Sequence, residues 1–442
     1  MIFTRITKAS RPGSSIAMAL VLAATGALGV TALEVPAFAK QDKEKERKPE
    51  YSKEFVAAYQ PVDAIIKSEA PDLQAAKALI PALVAASSSP DEKRATGGIM
   101  LNLGNDTDDA DMRLKGIELM LESGLVDATL EGQLSFAAYQ AYRDQDNVAA
   151  ARAALERAIA ANYTFNATMT DGSQRSFGAD QMHTMIADLY FDQGNYAEGL
   201  AYLDSQIEAR QTAGGTIPET WIRKGLSTAY ENGINAQTPK YVRLLAQNYP
   251  TDVVWGDAVI ITLNANNYAN PEVLDLLRLS RRAKIYNDAR VLSEYVEVLD
   301  PRRYPGEVVA VIDEGKALGV IDATDPYLVE TRKEAAGRVA SDKSDLPNLA
   351  ADARKPGVTL KTLVVAGDTF LSYDQPAEAE EFYTKALGMS GVETPMVLTR
   401  LGIAQYDQGK YAEAVETFGK VEGARQDIAN LWAIYAAQKS GI

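Results

Sequence analysis

The chain of 442 residues contains no cysteine and a single histidine, His183. Cysteine and histidine are the usual ligands of structural zinc, and a thiol nucleophile usually pairs with a histidine base. The sequence therefore excludes disulfide bonds, Cys–His nucleophile pairs and zinc sites rich in histidine or cysteine. His183 stands at a periodic position of a predicted helix, so we interpret it as a packed or partly exposed helix residue and not as a catalytic base.

The sequence also lacks the glycine patterns of phosphate loops and calcium loops. Gly97-Gly98 and Gly214-Gly215 are isolated pairs without the further glycines that a phosphate-binding loop needs. The acidic cluster at 105–111 has some likeness to a calcium loop, but the sixth position from Asp106 is Asp111 where glycine is required. Acidic side chains are favoured at the start of a helix, so the cluster is better explained as a helix start. We expect no metal ion and no cofactor.

Positive charge is in short supply, because 45 Lys and Arg residues face 60 Asp and Glu residues, for a formal charge of −15. Such a field repels phosphate backbones and anionic head groups, so nucleic acid is not an expected partner. The acidity is explained by the solubility of a long helical chain, and the alternative is that it selects a basic partner. No pair among so many carboxylates stands out for acid–base chemistry of the glycosidase type.

Two short basic runs, Arg281-Arg282-Ala283-Lys284 and Arg302-Arg303, interrupt this acidic background. We interpret both as solvated helix ends. The alternative for each is a docking site for an acidic partner.

Long apolar runs are absent after residue 40, so no later segment is predicted to span a membrane. The N-terminus carries Arg5, Lys8 and Arg11, then an apolar run at 16–33 and the small-residue site Ala37-Phe38-Ala39. This pattern predicts a signal peptide over 1–39 that is cleaved after Ala39, and an uncleaved anchor is the alternative.

Export would place the mature chain in the periplasm or outside the cell, without stable membrane insertion. The charged residues of the predicted signal carry a net +2, so the mature chain would carry −17. A bacterial lipid anchor needs a cysteine directly after the signal, so the lack of cysteine excludes one.

The remaining chain reads as a series of helices. Residues 40–50 are almost entirely charged and predict a solvated linker. From residue 51 onward, apolar residues recur at spacings of three and four, and no run has the alternation of a strand. The sequence therefore predicts an all-α fold. The predicted helices lie near 51–69, 71–87, 90–103, 108–123, 127–143, 146–161, 253–267, 271–283, 286–300, 305–318, 325–340, 344–354 and 428–439.

One stretch near the C-terminus shows how these helices are organised. Leu398, Leu401 and Gly402 lie on one helix, Gly409 breaks the pattern, and a second helix follows with Tyr411, Ala414, Phe418 and Val421 in register. This arrangement resembles the tetratricopeptide repeat (TPR) family, of the secreted bacterial type if the signal is genuine. The resemblance implies an α-solenoid of stacked antiparallel helix pairs, a TPR-like superhelix, in which these residues serve packing.

Further copies of the unit define the predicted organisation. Asp192-Gln-Gly-x-Tyr-Ala-Glu repeats the segment that begins at Asp407, and Leu363, Gly367 and Ala379 stand 35 residues before their C-terminal counterparts. We predict an N-terminal helical repeat region over 51–250, with TPR-like units near 127–165, 180–213 and 219–250. A divergent helical region over 251–358 and C-terminal units with a capping helix over 359–442 follow.

The resemblance also implies a function, because TPR arrays bind peptides or protein surfaces along a concave face lined by the first helix of each repeat. Lys361 and Arg400 match the carboxylate-binding subset of the family, but Asp368 and Ile403 stand where asparagine would be needed. A mixed groove for an extended or helical peptide is therefore expected. The candidate partner-binding residues are Lys361, Asp368, Met396, Thr399, Arg400 and Ile403.

The sequence thus favours a non-catalytic adaptor or assembly scaffold of the bacterial cell envelope that binds a protein or peptide partner. The alternative is a cell-envelope enzyme with accessory repeats and an active site in the divergent middle region. A separate domain with converging carboxylates at 252–356 would favour the enzyme. Self-association in a purely structural role is a third hypothesis.

Overall fold

The computed structural model describes residues 48–168, 172–285 and 289–441 of the chain. The predicted signal peptide, its cleavage site after Ala39 and most of the charged linker lie outside these residues. No helix within the described ranges is both long and apolar enough to cross a membrane.

Contacts divide the chain into two units, residues 1–199 and 200–442, with the boundary inside one helix, Tyr196–Thr212. The sequence pattern instead divides the chain after residues 250 and 358. The N-terminal and C-terminal units are described separately below.

The described part of the N-terminal unit consists of consecutive helices that pack as pairs, followed by a short hairpin. The elements are α1 (Lys53–Ile66), α2 (Leu73–Ala86), α3 (Pro90–Asp106), α4 (Ala110–Glu122), α5 (Ala128–Asp144), α6 (Val148–Ala160), β1 (Phe165–Thr168), β2 (Gln174–Phe177), α7 (Ala179–Phe191) and the first turn of α8 (Tyr196–Thr212). The helices from α1 to α6 agree with the predicted ones to within three residues at every end.

Local capping explains several of these helix starts. Asp109 accepts a hydrogen bond from the Met112 amide (2.9 Å), so the acidic cluster opens α4 as expected. Glu92 is 1% exposed and completes a capping box with Ser89 at the start of α3. Its carboxylate also accepts a hydrogen bond from the Ser52 amide (2.7 Å), which ties the start of α1 to the start of α3.

The hairpin of β1 and β2 corrects the expectation that the chain has no strand. The two strands pair antiparallel, with Phe165 opposite Phe177. Phe165 stacks on Phe136 of α5 at 4.6 Å between ring centroids. The strands form in a segment where polar residues surround two aromatic anchors, a pattern too short and too irregular to predict a strand.

The C-terminal unit is all-helical in its described residues. Besides the rest of α8 it comprises α9 (Glu219–Glu231), α10 (Thr238–Asn248), α11 (Asp252–Ala265), α12 (Asn270–Ala283), α13 (Ala289–Val298), α14 (Pro305–Ala317), α15 (Pro326–Ala353), α16 (Leu360–Ser372), α17 (Pro376–Leu387), α18 (Thr394–Asp407), α19 (Tyr411–Phe418), the 3-10 turn Gly423–Arg425 and α20 (Gln426–Ser440).

The predicted fold class, an all-α solenoid of stacked helix pairs, is confirmed. One helix boundary is wrong, because the helices predicted near 325–340 and 344–354 form the single 28-residue helix α15. Pro347 lies inside it and lacks the amide that would bond to Lys343. Both Lys343 and Pro347 are exposed, so water can satisfy the carbonyl that the proline leaves unpaired.

In three helix pairs of the C-terminal unit, a glycine on the first helix receives an aromatic ring from the second. The pairs Gly225–Tyr241, Gly367–Tyr383 and Gly402–Phe418 are each sixteen residues apart. A Cβ atom at Gly402 would lie 2.5 Å from the Phe418 ring, which no relaxed structure tolerates. The same ring stacks on Trp432 of α20 at 5.8 Å, so Phe418 also fills the contact with the next helix, as predicted.

The last helix, α20, closes the C-terminal unit on itself. The Trp432 indole donates a hydrogen bond to the carbonyl of Asp275 in α12 (2.9 Å), and Gln438 donates to the carbonyl of Ala246 in α10 (2.8 Å). Asp427 forms an ion pair with Arg243 of α10 (3.2 Å). The helix therefore covers the last repeat, as predicted for a capping helix, and also contacts helices that lie more than 150 residues earlier in the chain.

Candidate functional site

The structure buries four of the six candidate partner-binding residues. Asp368, Thr399, Arg400 and Ile403 are each at most 2% exposed, so the expectation that they form a free surface is wrong. The closure of the unit is the reason, because α12 contacts α18 directly and occupies the space in front of it. Lys361 is exposed and Met396 is partly exposed, and their role in partner binding stays a prediction.

The inner helices meet in a buried ion cluster, which we define as Asp275, Arg278, Glu307, Asp368, Arg400 and Arg425. Three arginines and three carboxylates are each at most 2% exposed, so their formal charges cancel. The residues come from α12, α14, α16, α18 and the 3-10 turn before α20. Charged side chains from these four helices and the turn thus meet in one buried cluster.

Arg400 joins Asp368 to Asp275, and Asp275 connects this half of the buried ion cluster to Arg278. Its guanidinium donates to both carboxylate oxygens of Asp368 (2.8 and 2.9 Å) and of Asp275 (3.3 and 3.2 Å). Asp275 also accepts from Arg425 (2.5 Å) and Arg278 (3.0 Å). Burial alone would raise the pKa of Asp368, but the charges of Arg400, Arg303 and Arg278 and the hydrogen bond from Tyr383 together lower it.

Arg278 and Glu307 form the other half of the cluster. Two guanidinium nitrogens of Arg278 donate to the two carboxylate oxygens of Glu307 (2.9 and 2.7 Å), and the Tyr295 hydroxyl donates to the same carboxylate (2.8 Å). Burial alone would raise the pKa of Glu307, but the charge and hydrogen bonds of Arg278 lower it to about 2.

The buried ion cluster has the chemistry of a structural lock. Its carboxylates are engaged with arginine and are at most 2% exposed, so they are poorly suited to acid–base catalysis on a substrate. The described residues of 252–356 fold within the C-terminal unit and form no separate domain, so the condition that would favour the enzyme hypothesis is not met there.

An open cleft lies at one end of the inner helices, and we call it the mouth cleft. Its volume is about 610 Å³. The C-terminal ends of α12, α14 and α18 and the turn after α16 converge on it. The lining residues are Arg281, Arg282, Lys284, Glu314, Ala317, Leu318, Asp374, Pro376 and Asp407.

Two arginines of the mouth cleft are held by carboxylates. Arg281 donates to Glu314 (2.7 Å), and Arg282 donates to both oxygens of Asp407 (3.0 and 2.6 Å). These arginine side chains are 14% and 12% exposed, so they are not the solvated helix ends that the sequence predicted. Their charge complements the partial negative charge of the helix C-termini that surround them.

Cationic hydrogen-bond donors remain available in the mouth cleft. The buried Nη1 atom of Arg282 has no hydrogen-bond partner. Lys284 is exposed and forms no ion pair with any described residue. Next to these donors, Leu318 leaves 60% of its surface exposed. The mouth cleft therefore offers one unpaired cation, Lys284, and an unused Arg282 donor beside an aliphatic surface, with the exposed carboxylate of Asp374 4.0 Å from Arg281.

The sequence contained one signal for this site, the basic run Arg281-Arg282-Ala283-Lys284. Its alternative interpretation, a docking site for an acidic partner, agrees better with the geometry than solvated helix ends do. The acidic and apolar residues of the cleft come from 314–318, 374–376 and 407, and no pattern in the sequence links them to the basic run.

The other residues singled out in the sequence show no further site. His183 lies half-buried on α7, as expected for a helix residue. Within the described ranges, no three His, Cys, Asp or Glu side chains are grouped so as to hold a metal ion.

Comparison with known proteins identifies the repeat unit. The family model described as tetratricopeptide repeat matches residues 180–212, which contain α7 and α8. A search of curated protein sequences found no match. The match coincides with the predicted unit near 180–213. The helix pairs α9–α10, α16–α17 and α18–α19 share the glycine–aromatic contact described above.

Two solved structures have some likeness to this chain. One is titled "Structure of Naa15/Naa10 bound to HypK-THB", with 12% identity, a TM-score of 0.25, and coverage of 87% of this chain and 69% of that one. Another is titled "Crystal structure of APC/C hetero-tetramer Cut9-Hcn1", with 13% identity, a TM-score of 0.21, and coverage of 80% and 68%. At these TM-scores the likeness carries no argument about function.

Proposed function

We propose that this TPR protein is a non-catalytic interaction scaffold that binds a segment of a partner protein in the mouth cleft. The observation that supports the proposal is the open cleft of about 610 Å³ with unpaired cationic donors on a unit whose own inner face is closed. Arg400 and Asp368 are buried and paired with each other, whereas Lys284 and Leu318 are exposed.

The chemistry of the mouth cleft favours a segment with a carboxylate beside an aliphatic side chain. The carboxylate would accept hydrogen bonds from Arg282 and Lys284, and the aliphatic group would lie on Leu318 and Pro376. The net negative charge of the chain opposes an acidic partner only weakly, because exposed charges beyond about 8 Å are largely screened at physiological salt. Charges within the cleft therefore decide the preference.

We further propose that the scaffold acts in the cell envelope, as a periplasmic or secreted protein of the bacterial type. The support for this is the N-terminal pattern of Arg5, Lys8 and Arg11, the apolar run at 16–33 and Ala37-Phe38-Ala39. The N-terminal sequence of the mature protein, purified from an envelope fraction, tests this part. A first residue of Lys40 supports export, and a retained Met1 in the cytosol contradicts it.

The binding proposal is tested with two fluorescein-labelled peptides, one alternating glutamate with leucine and the other alternating glutamine with leucine. Fluorescence anisotropy at 0.15 M salt should show binding of the glutamate peptide only. Lys284→Asn should weaken it by about five-fold, since an exposed charge pair contributes up to about 1 kcal/mol. Asparagine tolerates the left-handed backbone of Lys284 (φ 58°), so the fold is kept.

Matched controls decide between the two candidate surfaces. Leu318→Ser should weaken binding, whereas Val365→Ser, at another exposed aliphatic residue, on α16, should not. Lys361→Asn removes a charge that the sequence assigned to the partner groove. If Lys361→Asn weakens binding and Lys284→Asn does not, the mouth cleft is not the site. Sedimentation of the free protein at two concentrations separates partner binding from self-association.

A further inference from the structure

A second open surface lies in the N-terminal unit, between α4 and α6. We call it the alanine groove. Its volume is about 360 Å³. The floor is formed by Leu121, Ser135, Ala138 and Ala154, all at most 8% exposed, and Ala150 and Ala153 of α6 form one wall. These side chains are short, so a visiting side chain can approach the backbone of α5 and α6 closely.

The floor of the alanine groove contains a polar group without a partner. Ser135 is 0% exposed, and its hydroxyl forms no hydrogen bond. Leaving a buried hydroxyl unpaired costs about 1–3 kcal/mol, and most native proteins avoid it. A ligand group that reaches the floor would satisfy this hydroxyl, so Ser135 is an observation independent of the small side chains.

The rim of the alanine groove is acidic on the α4 side. Glu118 accepts hydrogen bonds from the Tyr142 hydroxyl (2.7 Å) and from Lys115 (2.9 Å), which hold its carboxylate at the edge of the groove. Glu122 is 52% exposed and has a single ion pair, with Lys93 at 3.2 Å. Arg157 also lines the groove, and its guanidinium is engaged by the Leu121 carbonyl and by Glu131, so its charge is paired.

The stretch of chain that contains the alanine groove is negatively charged, like the rim of the groove. Residues 48–199 contain 23 acidic and 12 basic side chains, so this stretch carries a net charge of −11. A ligand approaching the groove meets a negative potential, and a positively charged ligand gains in association rate from it.

We propose that the alanine groove docks a basic segment of a partner protein. A small or aliphatic side chain of the segment would lie on the alanine floor, a polar group would reach the Ser135 hydroxyl, and a flanking lysine or arginine would pair with Glu122 and Glu118. The alanine groove differs from the mouth cleft in its position and in the charge of the ligand that it would bind. The proposal does not depend on the proposed function of the mouth cleft.

The test uses the full chain and a fluorescein-labelled peptide that alternates lysine with leucine, with the glutamate–leucine peptide as reference. Ala153→Leu fills the groove, whereas Ala149→Leu adds the same side chain at another exposed position of α6. Glu122→Lys reverses the rim charge, and Glu156→Lys makes the same change at a similarly exposed position, 55% against 52%, outside the groove. Binding is measured by fluorescence anisotropy at 0.15 M salt.

Ala153→Leu and Glu122→Lys should each weaken binding of the lysine peptide by ten-fold or more, and the two controls should stay within two-fold of the parent. If Glu156→Lys weakens binding as much as Glu122→Lys, the attraction is general acidity and the proposal is wrong. The proposal is also wrong if Ala153→Leu leaves binding of the lysine peptide unchanged. It is wrong as well if the glutamate peptide binds in the alanine groove, which Ala153→Leu would show by weakening its binding.

Ser135→Ala separates binding from stability. Removing an unpaired buried hydroxyl should leave the melting temperature of the free protein unchanged or raise it. The same variant should bind the lysine peptide several-fold more weakly, because the bound segment loses a hydrogen-bond partner. Unchanged binding would remove Ser135 from the site and overturn the part of the proposal that rests on it.

Discussion

Ala414 sits at the crossing of α18 and α19, where it is completely buried. Ala414→Leu would force three extra carbon atoms into this contact, next to the place where Gly402 receives Phe418. We expect the free energy of unfolding to fall by about 1–3 kcal/mol, measured by urea denaturation. Ala412→Leu is the control, since Ala412 is exposed on the same helix. Equal midpoints for the two variants would contradict the packing.

Arg400 gives a second prediction at the scale of the residue. Arg400→Met leaves Asp275 and Asp368 buried with too little positive charge, so unfolding should require about 3–5 kcal/mol less. Adding Asp368→Asn should restore part of the loss, because one uncompensated charge disappears. Arg302→Gln breaks an exposed ion pair with Glu334 and should leave the denaturation midpoint unchanged. If Arg400→Met shifts the denaturation midpoint as little as Arg302→Gln does, the buried ion cluster is not a structural lock.

Individual residues differ in how well the sequence predicted them. Gly402, Ala414 and Phe418 follow a periodic pattern whose spacing reflects packing inside one repeat, so their roles could be predicted. Arg400 and Asp368 were assigned to a free surface because helix spacing gives the direction of a side chain and not what lies in front of it. Asp275, which faces Arg400, is 125 residues away in the sequence.

At the scale of the element, α15 shows where local rules were overridden. Pro347 predicts a break, yet the helix runs from Pro326 to Ala353. Leu346 and Ala350, on either side of the proline, are buried, and this packing offsets the lost hydrogen bond. The hairpin is the opposite case, since Phe165 pairs because Phe136 lies beneath it and not because its own segment has strand character.

Pro347→Ala should therefore stabilise α15. The substitution restores an amide that can bond to the Lys343 carbonyl and removes the ring that crowds it, so the melting temperature should rise. Pro326→Ala is the control, because a proline in the first turn loses no helical hydrogen bond and restricts the unfolded chain. That variant should melt at the same or a lower temperature. A lower melting temperature for Pro347→Ala would show that the proline fixes a needed bend.

At the scale of the whole molecule, the helix content was predictable and the closure of the C-terminal unit was not. Periodicity located nearly all of the helices because each helix buries its own apolar face. Closure depends on contacts such as Gln438 with Ala246, 192 residues apart, which no local pattern encodes. The same contacts turn an expected binding groove into a core, so the candidate site moved to the mouth cleft. Its residues come from four separate segments.

The buried ion cluster also predicts how the stability of the C-terminal unit depends on pH. The pKa of Glu307 is about 2 in the folded unit and near 4.5 when unfolded, so its contribution is present above pH 4.5 and is lost as the pH falls toward 2. Burial and the charge of Asp368 raise the pKa of Tyr304 from 10 to about 12, so that contribution is present below pH 10 and is lost as the pH rises through 12.

Tryptophan fluorescence reads this unit selectively, because the chain has three tryptophans, Trp221, Trp255 and Trp432, and all are buried in the C-terminal unit. The urea concentration at the midpoint of unfolding, followed by tryptophan emission, should be constant between about pH 5 and pH 9. It should decrease at lower and at higher pH. In Glu307→Gln the midpoint at neutral pH should be lower, since the arginines lose a charge partner, and the fall between pH 4.5 and pH 2 should be shallower. An acid limb as steep in Glu307→Gln as in the parent would mean that other carboxylates carry the pH dependence, and that the buried ion cluster does not control the acid stability of the unit.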